Sequence, residues 1–285
     1  MTIRSVATRL VNKFNHTRSE EGVSTAFFKA ERYLRDRLGL TSNGQIQNRR
    51  NRLASDLNAT MQATVAYGPF KGMRFHSDSW WSSSDRPSMI FGFYELEVLE
   101  ALNDLSKSGR FQNFIDIGAA DGYYGVGVLI NGLFENAYCF EISAAGQKVI
   151  GKTAQLNGVA QRVTVFGKAE PHFHRNLEPE LFSSSVVLVD IEGGEFELLN
   201  ANVFRVFQKS AFIIEIHEWA DPTGEKIENL RKDAAEFFTI CDVRTSARDL
   251  SKYPELHHYI DNDRWLLCSE SRGSLGRWFV LKPKT

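Results

Sequence analysis

Cysteine is scarce in this chain and never paired: Cys139, Cys241 and Cys268 lie far apart, with no C-x-x-C spacing. That pattern excludes the usual zinc and dithiol arrangements and fits a reducing, cytoplasmic setting. No apolar run approaches the roughly 18 residues that would suggest a membrane span, and the first residues lack the apolar core of a secretory signal. Internal repeats and low-complexity tracts are missing as well. What remains is a chain of 285 residues, 42% hydrophobic and 24% charged, long enough to bury a real core and average for a folded globular protein.

The formal net charge of -1 conceals an asymmetry, because residues 1–60 carry eleven Lys/Arg against five Asp/Glu while the remainder carries 23 against 30. Within the basic front, Ile3, Val6, Leu10 and Phe14 recur at helical spacing and Arg4, Arg9, Lys13 and Arg18 supply charge, which predicts an amphipathic helix. Such a helix packs against its own domain or a second copy of the chain in a homo-oligomer, or it lies peripherally on an anionic membrane surface. A second helix is predicted over 20–38, with Phe27, Ala30, Tyr33, Leu34 and Leu38 on one side and Gly39 as its stop. The polar residues 41–51 read as a connector. From Thr60 the sequence suggests a short hairpin turning at Gly68-Pro69, then a Ser- and Trp-rich loop over 76–88 and a helix over 93–105.

Beyond residue 112, apolar strands alternate with amphipathic helices, which predicts an α/β fold with a Rossmann-like, seven-stranded, mostly parallel sheet covered on both faces. Strands are expected at 113–117, 137–141, 162–166, 185–191, 211–217, 239–243 and 277–281. Helices are expected near 123–131, 144–157, 196–207 and 225–238. A long loop in place of a helix before the last strand suggests an antiparallel hairpin at the sheet edge. The chain thus divides into a basic helical extension (1–58), a segment of hairpin, aromatic loop and helix (59–109), and the main domain (110–285).

The most informative stretch is Phe114-Ile115-Asp116-Ile117-Gly118-Ala119-Ala120-Asp121-Gly122-Tyr123-Tyr124, a buried strand running into a glycine turn and a helix. Open α/β sheets bind ligands at such turns, where backbone N–H groups face the crevice. The nicotinamide fingerprint needs glycine at 120 and Gly or Ala at 123, but the chain has Ala120 and Tyr123, which argues against a pyrophosphate cradle. Glu141 stands nineteen residues past Gly122, about where a carboxylate grips ribose hydroxyls in nucleoside-binding folds. The next strand end, with Ala169, would lie over the base.

The run from Asp116 to Tyr124 resembles the first motif of the class I methyltransferases. Val189-Asp190-Ile191-Glu192-Gly193-Gly194-Glu195, followed by Ile214-Glu215-Ile216-His217, resembles the FkbM-type branch of that family. The likeness extends to Tyr67-Gly68-Pro69-Phe70-Lys71-Gly72-Met73 and Gly92-Phe93-Tyr94-Glu95. It implies an O-methyltransferase that uses S-adenosylmethionine and acts on a hydroxyl of a sugar, glycan or other small molecule. It also implies cofactor roles for Asp116, Gly118, Ala119, Gly122, Tyr123, Glu141, Ala169 and Asp190, with Tyr94 and Glu95 near the methionine end. The long aromatic loop before residue 90 departs from the family pattern.

Methyl transfer needs the acceptor oxygen, methyl carbon and sulfur in line, and a hydroxyl needs help losing its proton. The candidates are Asp190, Glu215 and His217, all at strand ends. In one mechanism His217 is the base and Asp190 or Glu215 orients its ring. In the other, Asp190, Glu215 and His217 hold a divalent metal such as magnesium. Glu195 reads equally as a member of this group or as a helix-terminal acid. Trp80 and Trp81 are candidates for stacking on a sugar. His172 and His174 read as loop histidines, and His257, His258, Asp261 and Asp263 as loop residues that gate the acceptor or are merely solvated. The rival readings are a nicotinamide-dependent oxidoreductase and a non-catalytic nucleoside-binding scaffold. Nucleic-acid methylation is disfavoured by the acidic main domain and the lack of an aromatic and basic stripe.

Overall fold

A computed structural model describes residues 23–79 and 83–284. The helix expected over residues 3–14 and the Trp80–Trp81 pair lie outside these. The chain divides into two units, Met1–Ser55 and Asp56–Thr285. In the first, the helix Val23–Arg37 leaves Val23, Phe27 and Leu34 exposed. A further helix, Ser42–Thr60, replaces the connector expected at 41–51. Its start is capped by Thr41, whose Oγ1 accepts the Gly44 N–H at 3.0 Å. Among its buried residues, Arg50, Ala54 and Leu57 recur at helical spacing, but Arg50 is charged, which hides the periodicity. No described helix is long and apolar enough to cross a membrane.

The second unit is built on one sheet of seven strands: β1 (Asn113–Ile117), β2 (Asn136–Phe140), β3 (Val163–Phe166), β4 (Ser185–Val189), β5 (Ala211–Glu215), β6 (Phe238–Arg244) and β7 (Arg277–Pro283). Their order is β3-β2-β1-β4-β5-β7-β6; β1 to β5 are parallel, and β7 runs antiparallel between β5 and β6. The Rossmann-like α/β architecture, with its antiparallel edge, is the one expected. β4 and β5 are buried along their whole length, as strands covered on both faces must be. Alternation sorts their side chains between two cores. Phe114, Val186, Leu188 and Ile213 pack with Val98, Val126 and Ile150 on one face. Ile115, Val187, Val189 and Ile214 pack with Phe204, Ile227 and Leu230 on the other.

Local polar chemistry accounts for where the chain departs from expectation. The hairpin near residue 68 shrinks to a single bridge, Thr64 to Arg74, because the Ala66 N–H donates to the Ile90 carbonyl at 2.8 Å instead of extending the pair. Ile90 ends a short helix, Arg86–Ile90, inside what reads as loop. The single helix expected over 196–207 is two, Glu195–Leu198 and Ala201–Val206. Asn200 separates them: its side chain accepts the N–H groups of Asn202 and Val203 at 3.0 and 3.2 Å, the action of an N-cap. The loop before β7 contains the helix Asp261–Cys268.

One backbone approach fixes the centre of the sheet. Gly118, directly after β1, has φ +98°, and a Cβ there would lie 1.8 Å from the Asp190 carbonyl oxygen at the end of β4. Gly118→Ala should therefore lose roughly 2 to 5 kcal/mol in urea denaturation, strain and overpacking combined. Gly151→Ala, in a helix with open space around the new methyl, should gain about 0.5 to 1 kcal/mol. Equal effects of the two substitutions would contradict this account.

Candidate active site

The strand after β1 in the chain lies on one side of it and β4 on the other, so the loops leaving β1 and β4 diverge and open a crevice at the strands' carboxyl ends. A cleft of about 1070 Å³ lies there. Tyr94, Glu95, Gly118, Ala119, Tyr123, Glu141, Ala169, Asp190, Glu215 and His217 all line it. Two residues assigned to the cofactor from sequence do not. Asp116 sits behind the turn, where it accepts the Gly125 N–H, and burial pushes its carboxyl up to about 7. Its Oδ2 has no hydrogen-bond partner. Gly122, at φ +81°, starts the helix Tyr123–Ile130 and donates its N–H to the Ala119 carbonyl.

Glu141 follows β2 and is fixed by the turn it faces. Its Oε2 accepts the Ala120 N–H at 2.9 Å and its Oε1 the Ser143 N–H at 2.7 Å. The carboxylate is thereby aimed before any ligand arrives, and each oxygen keeps a lone pair. Beside it, Ile142 is 71% exposed on the cleft wall.

Across the cleft, His217 lies on the turn just after β5 and is buried. Its Nδ1 is 3.1 Å from Glu195 Oε1, and its backbone N–H donates to the same oxygen at 2.9 Å. Glu195 therefore orients the ring, the task that sequence reasoning gave to Asp190 or Glu215. An Nδ1 proton held by Glu195 leaves Nε2 to accept one. Nε2 is 3.6 Å from Asp190 and from Glu192, and 3.9 Å from Glu215. Burial alone would lower the imidazole pKa, but Glu195, Glu215 and Glu192 outweigh it and raise it above the usual value. Burial, with Glu215 and Glu95 close by, pushes the Asp190 carboxyl well above the carboxylate range.

A second charged group, unsuspected from the sequence, closes the same end. Arg272, on the loop before β7, donates to Glu270 at 2.7 Å, to Glu215 at 2.5 Å and to Glu95. Glu95 also accepts the Tyr124 hydroxyl at 2.6 Å. Burial and Glu215 push Glu95 up to about 8 in spite of Arg272. Behind it, burial would raise Glu97, but hydrogen bonds from Arg248 and Ser246 hold it at about 2. No motif surrounds Arg272 or Glu270; only the folded chain brings them to the cleft.

Asp190, Glu215 and His217 form a group of possible metal donors, their ligand atoms all within 4.8 Å of one another. No other such group occurs among the described residues. His172 and His174 have rings 6.0 Å apart and do not line the cleft. Neither do His257, His258, Asp261 and Asp263.

No protein-family model matches the chain, and no curated protein matches it. The solved structures it resembles include methyltransferases. A putative O-methyltransferase from Klebsiella pneumoniae is 14% identical, with a TM-score of 0.44 over 65% of this chain and 78% of that one. A putative tRNA (m1A22) methyltransferase from Streptococcus pneumoniae is 14% identical, with a TM-score of 0.41 over 64% and 69%. M. capricolum TrmK, solved with S-adenosyl-homocysteine, is 12% identical, with a TM-score of 0.41 over 65% and 68%. At these scores the likeness assigns no role to any residue of the cleft.

The crowding of carboxyls makes stability depend on pH. Glu95 titrates near 4.5 when unfolded and at about 8 when folded, so between those values the folded chain holds a proton that the unfolded chain has lost. Its contribution is full below the lower value and lost as pH rises to the upper one. Asp116 acts alike between 3.8 and about 7. Glu97, held at about 2, works in the opposite sense, but only below pH 4.5. The ligand-free protein should melt at a lower temperature at pH 8 than at pH 5.5, and Glu95→Gln should flatten the decline. A Tm that rises over this interval would contradict the assignment.

Proposed function

We propose that this chain is an S-adenosylmethionine-dependent O-methyltransferase of the FkbM type, acting on a hydroxyl of a small, sugar-like acceptor. The observation that carries the reading is the pairing, in one cleft, of a pre-aimed carboxylate, Glu141, with a histidine set as a base by Glu195. The residues present fit the cofactor. Glu141 can accept from ribose hydroxyls, Ile142 and Ala169 offer apolar contact to a base, and Glu95 and Asp190, which hold protons in the empty cleft, can release them to face an ammonium and a sulfonium. When bound, S-adenosylmethionine supplies an electrophilic methyl group on a sulfonium.

His217 takes the acceptor's proton at Nε2 as the oxygen becomes nucleophilic, and Glu195 stabilises the imidazolium that results. Asp190, 3.6 Å from Nε2, accepts a hydrogen bond from the acceptor and holds its hydroxyl against the base. Arg272 keeps Glu215 and Glu95 in place by pairing with both.

A second reading has a divalent metal held by Asp190, Glu215 and His217, favoured by their close spacing. Arg272 already occupies Glu215 Oε1 at 2.5 Å and brings its own positive charge, so the metal-free mechanism is preferred.

Methyl incorporation from labelled S-adenosylmethionine, screened over sugar and small phenolic acceptors with and without EDTA, tests the reading. Glu141→Ala should weaken cofactor binding at least about tenfold, the loss of a charge-assisted hydrogen-bonding group. His217→Gln should keep cofactor affinity and lower turnover about 10²- to 10⁴-fold. Since the neutral imidazole is the base, kcat should rise with pH through a step above the usual histidine value, and Glu195→Gln should move that step to lower pH. Full turnover by His217→Gln overturns its role, and loss of activity in EDTA restores the metal.

A further inference from the structure

The mouth of the cleft holds an exposed aromatic side chain. Trp219, two residues beyond the base, is 63% exposed, and its ring centroid is 5.9 Å from that of His217. An indole on the wall of a cleft offers a flat apolar face on which a ligand ring can stack. The backbone holds the indole in place: Gly193 stands where an added Cβ would meet Ala220 at 2.8 Å and the indole edge at 3.5 Å. Leu275, 66% exposed, also lines the cleft.

The charge of the cleft selects among the ring compounds that could stack there. Eleven acidic side chains line it, and the nine that remain when Glu95 and Asp190 hold their protons still outnumber three permanent cations, Arg86, Lys168 and Arg272. Some carboxylates are compensated: Glu141 by backbone N–H groups, Glu218 by Arg244 and Arg277, Glu270 by Arg248 and Arg272. Glu192 and Glu197 are different. Both are exposed and line the cleft with Trp219, and among the described residues neither forms an ion pair with a lysine or arginine; Glu192 lies 3.6 Å from His217 Nε2. A cofactor with one net positive charge neutralises a small part of this excess. A phosphate or nucleic-acid backbone would meet it head-on.

We infer that the methyl acceptor is a cation, a ring compound carrying a protonated amine, whose ring stacks on Trp219 while its ammonium faces Glu192 and Glu197. An indole face attracts a cation as well as a ring, so the two parts of the recognition agree. The inference rests on the reading of the cleft as the site of transfer, and it excludes nucleotides and nucleic acid as acceptors.

The test uses three probes built on one sugar ring and different in charge: glucosamine, methyl glucoside and glucose 6-phosphate. Their binding to the full chain is measured by ligand-observed NMR, with S-adenosylhomocysteine and without it. Glucosamine should bind most tightly, at least about fivefold better than methyl glucoside at low salt, a preference that added salt erodes. Glucose 6-phosphate should bind worst. Trp219→Ala should weaken glucosamine and methyl glucoside together, whereas the double variant Glu192→Gln, Glu197→Gln should abolish the preference for glucosamine and spare methyl glucoside. The inference is overturned if glucosamine does not bind, if glucose 6-phosphate matches it, or if the preference survives in the double variant. Should S-adenosylhomocysteine fail to bind while the ranking holds in the free chain, the cofactor reading falls and the charge selectivity stands.

Discussion

The close approach of Gly118 to the carbonyl of Asp190 is the constraint on which the site depends. β1 and β4 are neighbours, and their following loops part in opposite directions, so the gap between them is set by how near the two backbones can come. With no Cβ at 118, the first loop rests against the second. That contact sets the position of Ala120, which donates to Glu141, and of Asp190, which borders His217. The two halves of the cleft are therefore built from one junction, and a change there would disturb both.

Electrostatics supply the second constraint. A sheet whose central strands are mostly apolar places most of their ionisable residues where the strands end, and at the cleft those residues are nearly all acids. The protein tolerates them in three ways. Glu141 and Glu195 accept backbone N–H groups, Glu95, Glu215 and Glu270 share Arg272, and Asp190 and Glu95 are driven to hold protons. Such an arrangement lowers the stability of the empty cleft and favours cationic occupants. Arg272 is central to it, since removing the arginine would leave three carboxylates without their shared cation.

Much of this was legible beforehand, for reasons specific to particular residues. The strands were visible because runs such as Val186 to Val189 and Phe212 to Ile214 are apolar without interruption, and their mostly parallel run followed from the alternation with helices. Gly118 and Glu141 were legible because a turn after β1 and an acid after β2 lie at a fixed distance in such folds. Asp116 was misplaced: its position in the motif suggested a ligand, but strand alternation turns it into the core against Gly125. Glu195 read equally as a member of the acid group or as a helix-terminal acid, because its neighbours in sequence are helical and its partner, His217, is twenty-two residues away. Arg272 carried no signal at all, since the loop before β7 gains its meaning only from the sheet order that returns it to β5. The helix Ser42–Thr60 was hidden by its polar composition, although Thr41 caps it as clearly as Ser143 and Asn200 cap theirs.

The central claim is that the cleft over β1 and β2 takes an adenosine bearing a methylated sulfonium. Isothermal titration of the unaltered protein with S-adenosylmethionine and, separately, with NAD tests it most directly. The account predicts saturable binding of one S-adenosylmethionine per chain, displaced by S-adenosylhomocysteine, and no binding of NAD. Heat from NAD alone, or none from either compound, would contradict it.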